Sequence, residues 1–332
     1  MKAGFVVLAL LLCGCGAKSG NVPVRMAIVG PGIQAPWIPL TLANTLGYYK
    51  DEGLEVTLED FSSNAKTLQA LIGGSVDVAG SSYSQIVQIA AEGQPVKSFF
   101  IMSKRDSMVL IVAPNANGKI RRIEDMKGAV IGVPAPGSPV HQRVNHYLAA
   151  HGIRETEVSA VGIGVGASAV AAVESGRIDA AGLSGGDHFY LLRRHPDLRI
   201  LIDASTPEGM RETYGADVNA NAALSAKQDW LDRNPEAARR LSRALRRTLE
   251  WIAANSPEEI RERLPGSSRS QDTAVDIKII RWSLPSFTAD GAMPKNAPET
   301  VKRFLGATME KVRDSRIDLA ATWTNDFLPE SK

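Results

Sequence analysis

The strongest constraint on the fold of this chain is an internal repeat. The stretch LQALIGGSVDVAGSS at 68–82 aligns without a gap with VAAVESGRIDAAGLS at 170–184, at an offset of 102 residues. The same offset pairs Val56 with Val158 further upstream. Each copy reads as an extended run, a polar loop, an amphipathic helix that ends at Gly, and a short apolar strand that begins at Asp. Helices that alternate with short β-type runs predict parallel α/β units, so two copies predict two similar lobes.

The loops that follow the predicted strands are rich in Gly, Ser and Asn. Ligands of open α/β sheets bind beyond the carboxyl ends of the strands, where such loops meet. We therefore expect the functional residues in the loops GPGIQAPW (30–37), FSSNAK (61–66), GSSYS (80–84), PAPGSPVH (134–141), GIGVGAS (162–168) and GLSGGD (182–187).

The N-terminus MKAGFVVLALLLCGCGAKSG has the form of a secretory signal, with one early cation, an apolar run and then small residues. Leu12-Cys13-Gly14-Cys15 resembles the lipobox of bacterial lipoproteins. This implies a lipoprotein signal peptide at 1–14, lipidation of Cys15 and an anchor linker at 15–22; an ordinary cleaved signal is the alternative. The protein is then expected in the periplasm or on the outer face of the cytoplasmic membrane, anchored by lipid. Because both cysteines lie in this segment, we expect neither a disulfide nor cysteine catalysis in the mature chain.

The composition is that of a globular chain large enough for two lobes, with 44% hydrophobic and 22% charged residues. No later apolar run approaches the roughly 18 residues that a transmembrane helix needs. The formal net charge of +2 gives no reason to expect a nucleic-acid partner.

The loop PAPGSPVH begins a predicted helix. Ser138 followed by Pro139 is typical of an N-cap with Pro at the first helical position, and Asn234-Pro235 repeats the pattern. The N–H groups of Val140 and His141 then need an acceptor, which is either the Ser hydroxyl or an anion. A helix cap and a ligand contact are therefore compatible interpretations of this loop.

Motifs for a cofactor or a metal are weak. The glycine-rich stretches at 30–35 and 162–167 fit only a loose dinucleotide template, and Pro31 removes an N–H that a pyrophosphate cradle uses. His141, His146 and His151 lie five apart on one predicted helix, so each is rotated by about 140° from the last and they do not converge. We expect no cofactor and no metal.

Among possible enzyme activities, a Ser/His/acid hydrolase is the one for which specific residues can be named. Ser138, Asp187 and His188 form a Ser/His/acid triad only if folding assembles one, and the G-x-S-x-G elbow is absent from the loops that carry Ser138 and Asp187. We therefore expect no catalytic residue.

A long helix predicted after Asn234 carries leucines on one side and arginines on the other. The arginines are Arg239, Arg240, Arg243, Arg246 and Arg247. They form either a solvated face or a surface that docks to an acidic partner or to anionic lipid head groups.

Eight segments spread over nearly the whole mature chain carry a resemblance to known proteins. They are LANTLGYYKDEGLEV (42–56), LQALIGGSVDVAG (68–80), AEGQPVKSF (91–99), IEDMKGAVIGVPAPGS (123–138), GASAVAAVESGRIDA (167–180), PEGMRETYG (207–215), NPEAARRLSRALRRTLEWI (234–252) and TNDF (324–327). Together they resemble the solute-binding lipoproteins of ABC importers in the nitrate, aliphatic-sulfonate and taurine class, which are also similar to thiamine-pyrimidine-binding proteins.

The resemblance implies an α/β, two-lobed type II periplasmic binding-protein fold. Each lobe is expected to be a mostly parallel sheet flanked by helices, with a ligand cleft between the lobes. We place the two crossovers at MVLIVAP (108–114) and DASTPEGM (203–210). Lobe I is then predicted at 23–112 and 214–332, and lobe II at 113–213.

Members of this family contact their ligand from the loops after the strands. Carried over position by position, the resemblance implies ligand contacts at Gln34, Trp37, Ser63, Asn64, Ser82, Tyr83, Gly137, Ser138, His141, Ala167, Ser168, Gly186, Asp187, His188 and Asn221. Many relatives have Asp-Pro where this chain has Asp187-His188. Lys66 is the only Lys or Arg in these loops, so a multiply charged anion is not expected. Neutral donors and helix N-termini suit a single anionic group.

The resemblance thus implies a non-enzymatic, monomeric, extracytoplasmic receptor. It would bind a small organic solute with one anionic group, a sulfonate or a carboxylate, and deliver it to ABC permease subunits in the membrane. A thiamine-pyrimidine precursor carrier is an alternative, in which Tyr83 and Trp37 stack on the ring and Asp187 meets its amine. An enzyme on the same fold, as in the pyrimidine synthases that share it, would need a reactive His or Lys in the cleft and a cytoplasmic location.

Overall fold

The computed structural model describes residues 21–30 and 33–330. The predicted signal peptide and the lipidation site at Cys15 lie outside these residues. The strands are β1 (Val22–Val29), β2 (Leu54–Phe61), β3 (Val78–Ser82), β4 (Val96–Ile101), β5 (Val109–Val112), β6 (Val130–Val133), β7 (Ser159–Gly162), β8 (Ala180–Leu183), β9 (Ile200–Asp203) and β10 (Ala222–Lys227). The helices are α1 (Ile38–Thr45), α2 (Tyr48–Asp51), α3 (Asn64–Gly73), α4 (Tyr83–Ala90), α5 (Pro139–Ala150), α6 (Ala167–Glu174), α7 (His188–Arg194), α8 (Pro207–Tyr214), α9 (Gln228–Arg233), α10 (Pro235–Ala254), α11 (Pro257–Arg263), α12 (Thr273–Ser283), α13 (Ala297–Gly306) and α14 (Glu310–Asp314).

The strands form two five-stranded sheets with equivalent topology, in the orders β2-β1-β3-β10-β4 and β7-β6-β8-β5-β9. We call the first sheet with its helices lobe I and the second lobe II. In each sheet one strand runs antiparallel to its neighbours: β10 in lobe I and β5 in lobe II. The chain enters each of these strands from the other lobe. Each strand therefore begins at the edge of its sheet that faces the cleft and runs in the direction opposite to its neighbours. The predicted two-lobed α/β fold is confirmed.

The sequence repeat corresponds to two matching units, β2-α3-β3 and β7-α6-β8. The repeated Asp has the same role in both. Asp77 Oδ2 accepts a hydrogen bond from the Arg25 backbone N–H of β1 at 2.8 Å, and Asp179 Oδ2 accepts one from the Val130 N–H of β6 at 2.9 Å. Each Asp therefore joins the start of its own strand to the start of the next strand in the sheet.

Two crossovers connect the lobes and run side by side. The first joins β4 to β5 and the second joins β9 to β10. The Asn219 N–H donates to the Lys104 carbonyl at 2.8 Å, and the Asn221 N–H donates to the Ser103 carbonyl at 3.0 Å. Because β5 pairs with β8 and β9, the sheet of lobe II begins at Val109, a few residues before the predicted boundary at 113.

The helix α10 packs its apolar side on lobe I and pairs its arginines with acidic residues. Leu241, Leu245 and Leu249 are buried in the core of lobe I. The arginine partners lie between 2.7 and 4.0 Å away: Glu236 for Arg239 and Arg240, Glu52 and Glu236 for Arg243, Glu250 for Arg246, and Asp51 for Arg247. The ion pairs of Arg243 with Glu52 and of Arg247 with Asp51 connect α10 to the region of α2, so these two arginines have a structural role within lobe I. Among the described residues, no helix has both the length and the apolar character needed to cross a membrane.

Candidate ligand-binding site

The carboxyl ends of the two sheets meet at a cleft. One part of it, here called the inner cleft, has a volume of about 50 Å³ and is lined by residues of both lobes and of the first crossover. The structure brings seven of the predicted contact residues together there: Gln34, Trp37, Ser63, Asn64, Ser82, Ser138 and Asn221. Because the loops of both lobes leave their sheets on the cleft side, residues far apart in the sequence converge.

The start of α5 forms one wall of the inner cleft. Ser138 is the N-cap, as predicted, and its Oγ accepts a hydrogen bond from the His141 N–H at 3.2 Å. Pro139 has no N–H, so the Val140 N–H is the first-turn donor without a cap. The Gly137 N–H donates to Nδ1 of His141 at 2.9 Å. This ring nitrogen is therefore occupied by the loop backbone and is not positioned as a base for Ser138.

Arg143, one turn further along α5, is a cleft residue that the sequence analysis missed. Its side chain is 3% exposed and lines the inner cleft. Its Nε contacts Asp106 Oδ2 and donates to the Tyr214 hydroxyl at 2.8 Å, and its Nη2 donates to Asn221 Oδ1 at 3.1 Å. Nη1 donates to none of the residues that the structure describes. Lys66 is still the only Lys or Arg of the loops after the strands, but a helix supplies an arginine to the inner cleft.

Asp106 neutralises this arginine from the first crossover. Its Oδ1 accepts hydrogen bonds from the N–H groups of Ser107 and Met108, at 2.7 and 3.1 Å. Burial acts to lower the pKa of Arg143, but the charge of Asp106 and the hydrogen bonds that Arg143 donates to Asp106 and Tyr214 outweigh burial and raise it. The inner cleft thus contains a permanently charged guanidinium within an ion pair of zero net charge.

A larger compartment, here called the outer chamber, continues the cleft toward α6 and α7. Its volume is about 720 Å³. Lobe I contributes Ile33, Gln34, Ser62, Arg269 and Ser270, and lobe II contributes Gly164, Val165, Gly166, Ala167, Ser168, Val170, Ala171, Glu174, Asp187, Tyr190 and Arg194. Of the predicted contact residues, Ala167, Ser168 and Asp187 lie here, and Gln34 lines both compartments.

Asp187 is the most perturbed acid of the cleft. It is 2% exposed. Its Oδ2 accepts from the Gly166 N–H at 2.8 Å, and its Oδ1 accepts from the Gln34 side-chain amide at a long 3.4 Å. Burial raises its pKa to about 6, although both hydrogen bonds act to lower the pKa. Gln34 and Asp187 also form a contact between the lobes.

Five predicted residues line neither compartment: Tyr83, Gly137, His141, Gly186 and His188. Tyr83 is buried inside lobe I, where its hydroxyl lies 2.6 Å from Thr322 Oγ1. His188 packs against Phe189 and Trp282, and burial lowers its pKa to about 4. The structure therefore does not assemble the Ser138, Asp187 and His188 triad. Nor does it present Tyr83 for stacking on a pyrimidine.

Gly185 allows the two lobes to approach at this contact. Its φ of +69° is left-handed, and a Cβ there would overlap the side-chain amide of Gln34. We expect Gly185→Ala to be destabilised by more than the roughly 1 kcal/mol of backbone strain, and to increase the radius of gyration in X-ray scattering. Gly176→Ala is the control, because its φ of +72° carries the same strain with no atom within 4 Å. Equal radii for both variants would contradict the prediction.

Two α/β lobes joined by paired crossovers, with a polar cleft at the carboxyl ends of both sheets, define a protein of the periplasmic-binding-protein fold. The chain belongs to the NMT1/THI5-like family, whose model matches residues 34–260. The family resemblance seen in the sequence is thereby confirmed.

Two solved structures and a named relative are similar to this chain over most of its length. A structure from Bordetella bronchiseptica RB50 is 32% identical, with a TM-score of 0.86 over 92% of this chain and 96% of that chain. The alkanesulfonate-binding protein SsuA from Xanthomonas axonopodis pv. citri bound to MOPS is 15% identical, with a TM-score of 0.72 over 92% of this chain and 99% of that chain. The riboflavin-binding protein RibY from Chloroflexus aurantiacus is 22% identical over 98% of this chain and 96% of its own length.

Proposed function

We propose that this chain is the solute-binding component of an ABC importer, and that its inner cleft captures a small organic solute through one anionic group. The observation that carries the proposal is Arg143, whose Nη1 has no partner among the described residues although the rest of the guanidinium is bound. The uncapped Val140 N–H at the start of α5 lies in the same compartment. A guanidinium and a helix N-terminus together suit a sulfonate or a carboxylate.

The charge of the site supports a single anionic group. Asp106 cancels the charge of Arg143, so a monoanion adds one net negative charge to the buried compartment and a dianion adds two, at a higher desolvation cost. The Asn64 side-chain oxygen is buried without a hydrogen-bond partner among the described residues, and Asn64 lines the inner cleft. A solute hydroxyl or amine that meets this oxygen would remove the cost of leaving it unpaired.

The names of two proteins that are similar over nearly the whole chain support solute capture rather than catalysis. RibY is called a riboflavin-binding protein and SsuA an alkanesulfonate-binding protein. We further propose that lipid on Cys15 holds the protein at the outer face of a membrane, next to permease subunits. The two lobes, predicted at 23–112 with 214–332 and at 113–213, are then the two halves that close on the solute, with β5 (Val109–Val112) as part of lobe II.

We expect small sulfonates or carboxylates to raise the melting temperature, because a ligand at 100 times its Kd stabilises a protein by about 2.7 kcal/mol. A thermal-shift panel of alkanesulfonates, carboxylates, nitrate and aminopyrimidines checks this. Ser138→Ala is expected to lose about 1 kcal/mol of cap energy and to bind the anion more weakly. Ser256→Ala is the matched control, since Ser256 caps α11 away from both compartments. No shift with any anion, or equal binding by both variants, would count against the proposed function.

A further inference from the structure

The outer chamber has the size and lining of a ligand site in its own right. Its volume of about 720 Å³ falls within the range of roughly 300–1,000 Å³ that is usual for small-molecule pockets. Aliphatic side chains from both lobes, Ile33, Val165 and Val170, form its walls. By contrast, the inner cleft of about 50 Å³ has room for little more than a small charged group. A solute larger than such a group must therefore place its remaining atoms elsewhere.

Asp187 gives this chamber its chemical preference. The carboxylate is 2% exposed and forms no ion pair with any described residue, and it accepts only the two hydrogen bonds from Gly166 and Gln34. A carboxylate has about four lone-pair sites, so acceptor capacity remains. A buried carboxylate without a cation is costly unless a partner is supplied.

The other charges of the chamber do not supply this partner. Arg194 Nε lies 2.6 Å from Glu174 Oε1, and His195 lies 3.2 Å from the same oxygen. Arg269 is exposed to solvent and makes no ion pair with Asp187. A ligand nitrogen is thus the group that complements the carboxylate.

We propose that the outer chamber is the second half of the binding site and receives the mainly apolar body of the solute, whose protonated nitrogen pairs with Asp187. This inference rests on the proposed function, because Gln34 and Val165 line both compartments and join them into one cleft. The solute class is accordingly an organic amine, carrying a ring or a branched hydrocarbon body and a single anionic group at its other end. Asp187 and Arg143 then define the two ends of the recognised molecule.

Calorimetric titration with four probes separates the two halves of the site. Benzylamine carries only the cation and the apolar body, benzyl alcohol is its neutral counterpart, methanesulfonate carries only the anion, and 4-(aminomethyl)benzenesulfonate carries both. We expect benzylamine to bind at least tenfold more tightly than benzyl alcohol. The linked compound is expected to bind more tightly than benzylamine or methanesulfonate alone, since its second contact is intramolecular.

Two variants locate the benzylamine site. Asp187→Asn is expected to weaken benzylamine at least tenfold and to leave benzyl alcohol unchanged. Ala171→Trp is expected to weaken both, because Ala171 is exposed and its side chain lines the chamber. Ala149→Trp is the matched control, on an exposed position of α5 outside both compartments.

The outcomes distinguish this inference from the proposed function. Saturable benzylamine binding that Asp187→Asn and Ala171→Trp both weaken supports the inference. No benzylamine binding, or equal binding by wild type and Asp187→Asn, overturns it even if methanesulfonate binds. Benzylamine binding without methanesulfonate binding instead overturns the anionic preference of the inner cleft and leaves the chamber assignment standing.

Discussion

Replacing Arg143 with Met is expected to lower the free energy of unfolding by about 3–5 kcal/mol. The substitution leaves Asp106 as a buried charge without its cation, and it removes hydrogen bonds to Tyr214 and Asn221. Asn221 lies in the second crossover, directly before β10, and Arg143 lies in lobe II, so the same change also removes a contact between lobe II and the crossover. Urea denaturation followed by far-UV circular dichroism measures the effect.

The double variant Asp106→Asn/Arg143→Met separates the buried charge from the lost packing. With both charges absent, the double variant is expected to recover much of the lost stability, because removing a whole buried pair is far less costly than breaking one. Both variants are expected to lose sulfonate binding, since neither retains the guanidinium. A single variant within 1 kcal/mol of wild type would show that Asp106 is solvated when its partner is removed.

The topology was predictable because the repeat is carried by local signals. Gly at the helix ends and Asp directly before β3 and β8 recur at the same offset. Each of these residues has the same structural role in both lobes. Gly74 and Gly176 have φ values of +75° and +72°. Asp77 and Asp179 each bond to the start of a neighbouring strand. Two such units predict two similar lobes, with the cleft beyond the carboxyl ends of their strands.

Arg143 and Asp106 were not predictable from the same signals. Arg143 belongs to a helix, so the rule that ligand contacts lie in loops after strands passes over it. Its partner is 37 residues away in the first crossover, and nothing in either local sequence indicates the pairing. The spacing from Ser138 to Arg143 gives no signal either, because residues five apart on a helix are rotated by about 140° from one another.

The sequence analysis also included two residues, Tyr83 and His188, that follow strands but point away from the cleft. Tyr83 is the first residue of α4, directly after β3, and its ring packs into the core of lobe I. His188 directly follows Asp187, and its ring lies against Trp282. Adjacent residues at a strand-to-helix turn leave the backbone in different directions. A loop motif therefore identifies a site region without selecting the side chains that face it.

Replacing Asp187 with Asn is expected to stabilise the ligand-free protein at pH 7. Burial raises the folded-state pKa of Asp187 from 3.8 to about 6, and each pKa unit corresponds to about 1.4 kcal/mol. The charged carboxylate therefore costs up to about 3 kcal/mol above pH 6. Well below pH 3.8 the group is protonated in both folded and unfolded states, and the cost disappears.

The difference in unfolding free energy between Asp187→Asn and wild type is therefore expected to grow as the pH rises from about 4 to about 7. Glu174, Arg194, His195 and Arg269 are present in both proteins, so their contributions cancel in this difference. Urea titrations at several pH values measure it, and a difference that does not change with pH would contradict the assignment. If the variant is more stable and also loses benzylamine, then the wild-type chain retains a destabilising carboxylate because binding requires it. This combination is expected of a residue that is kept for binding, because a group that the ligand requires can lower the stability of the ligand-free protein.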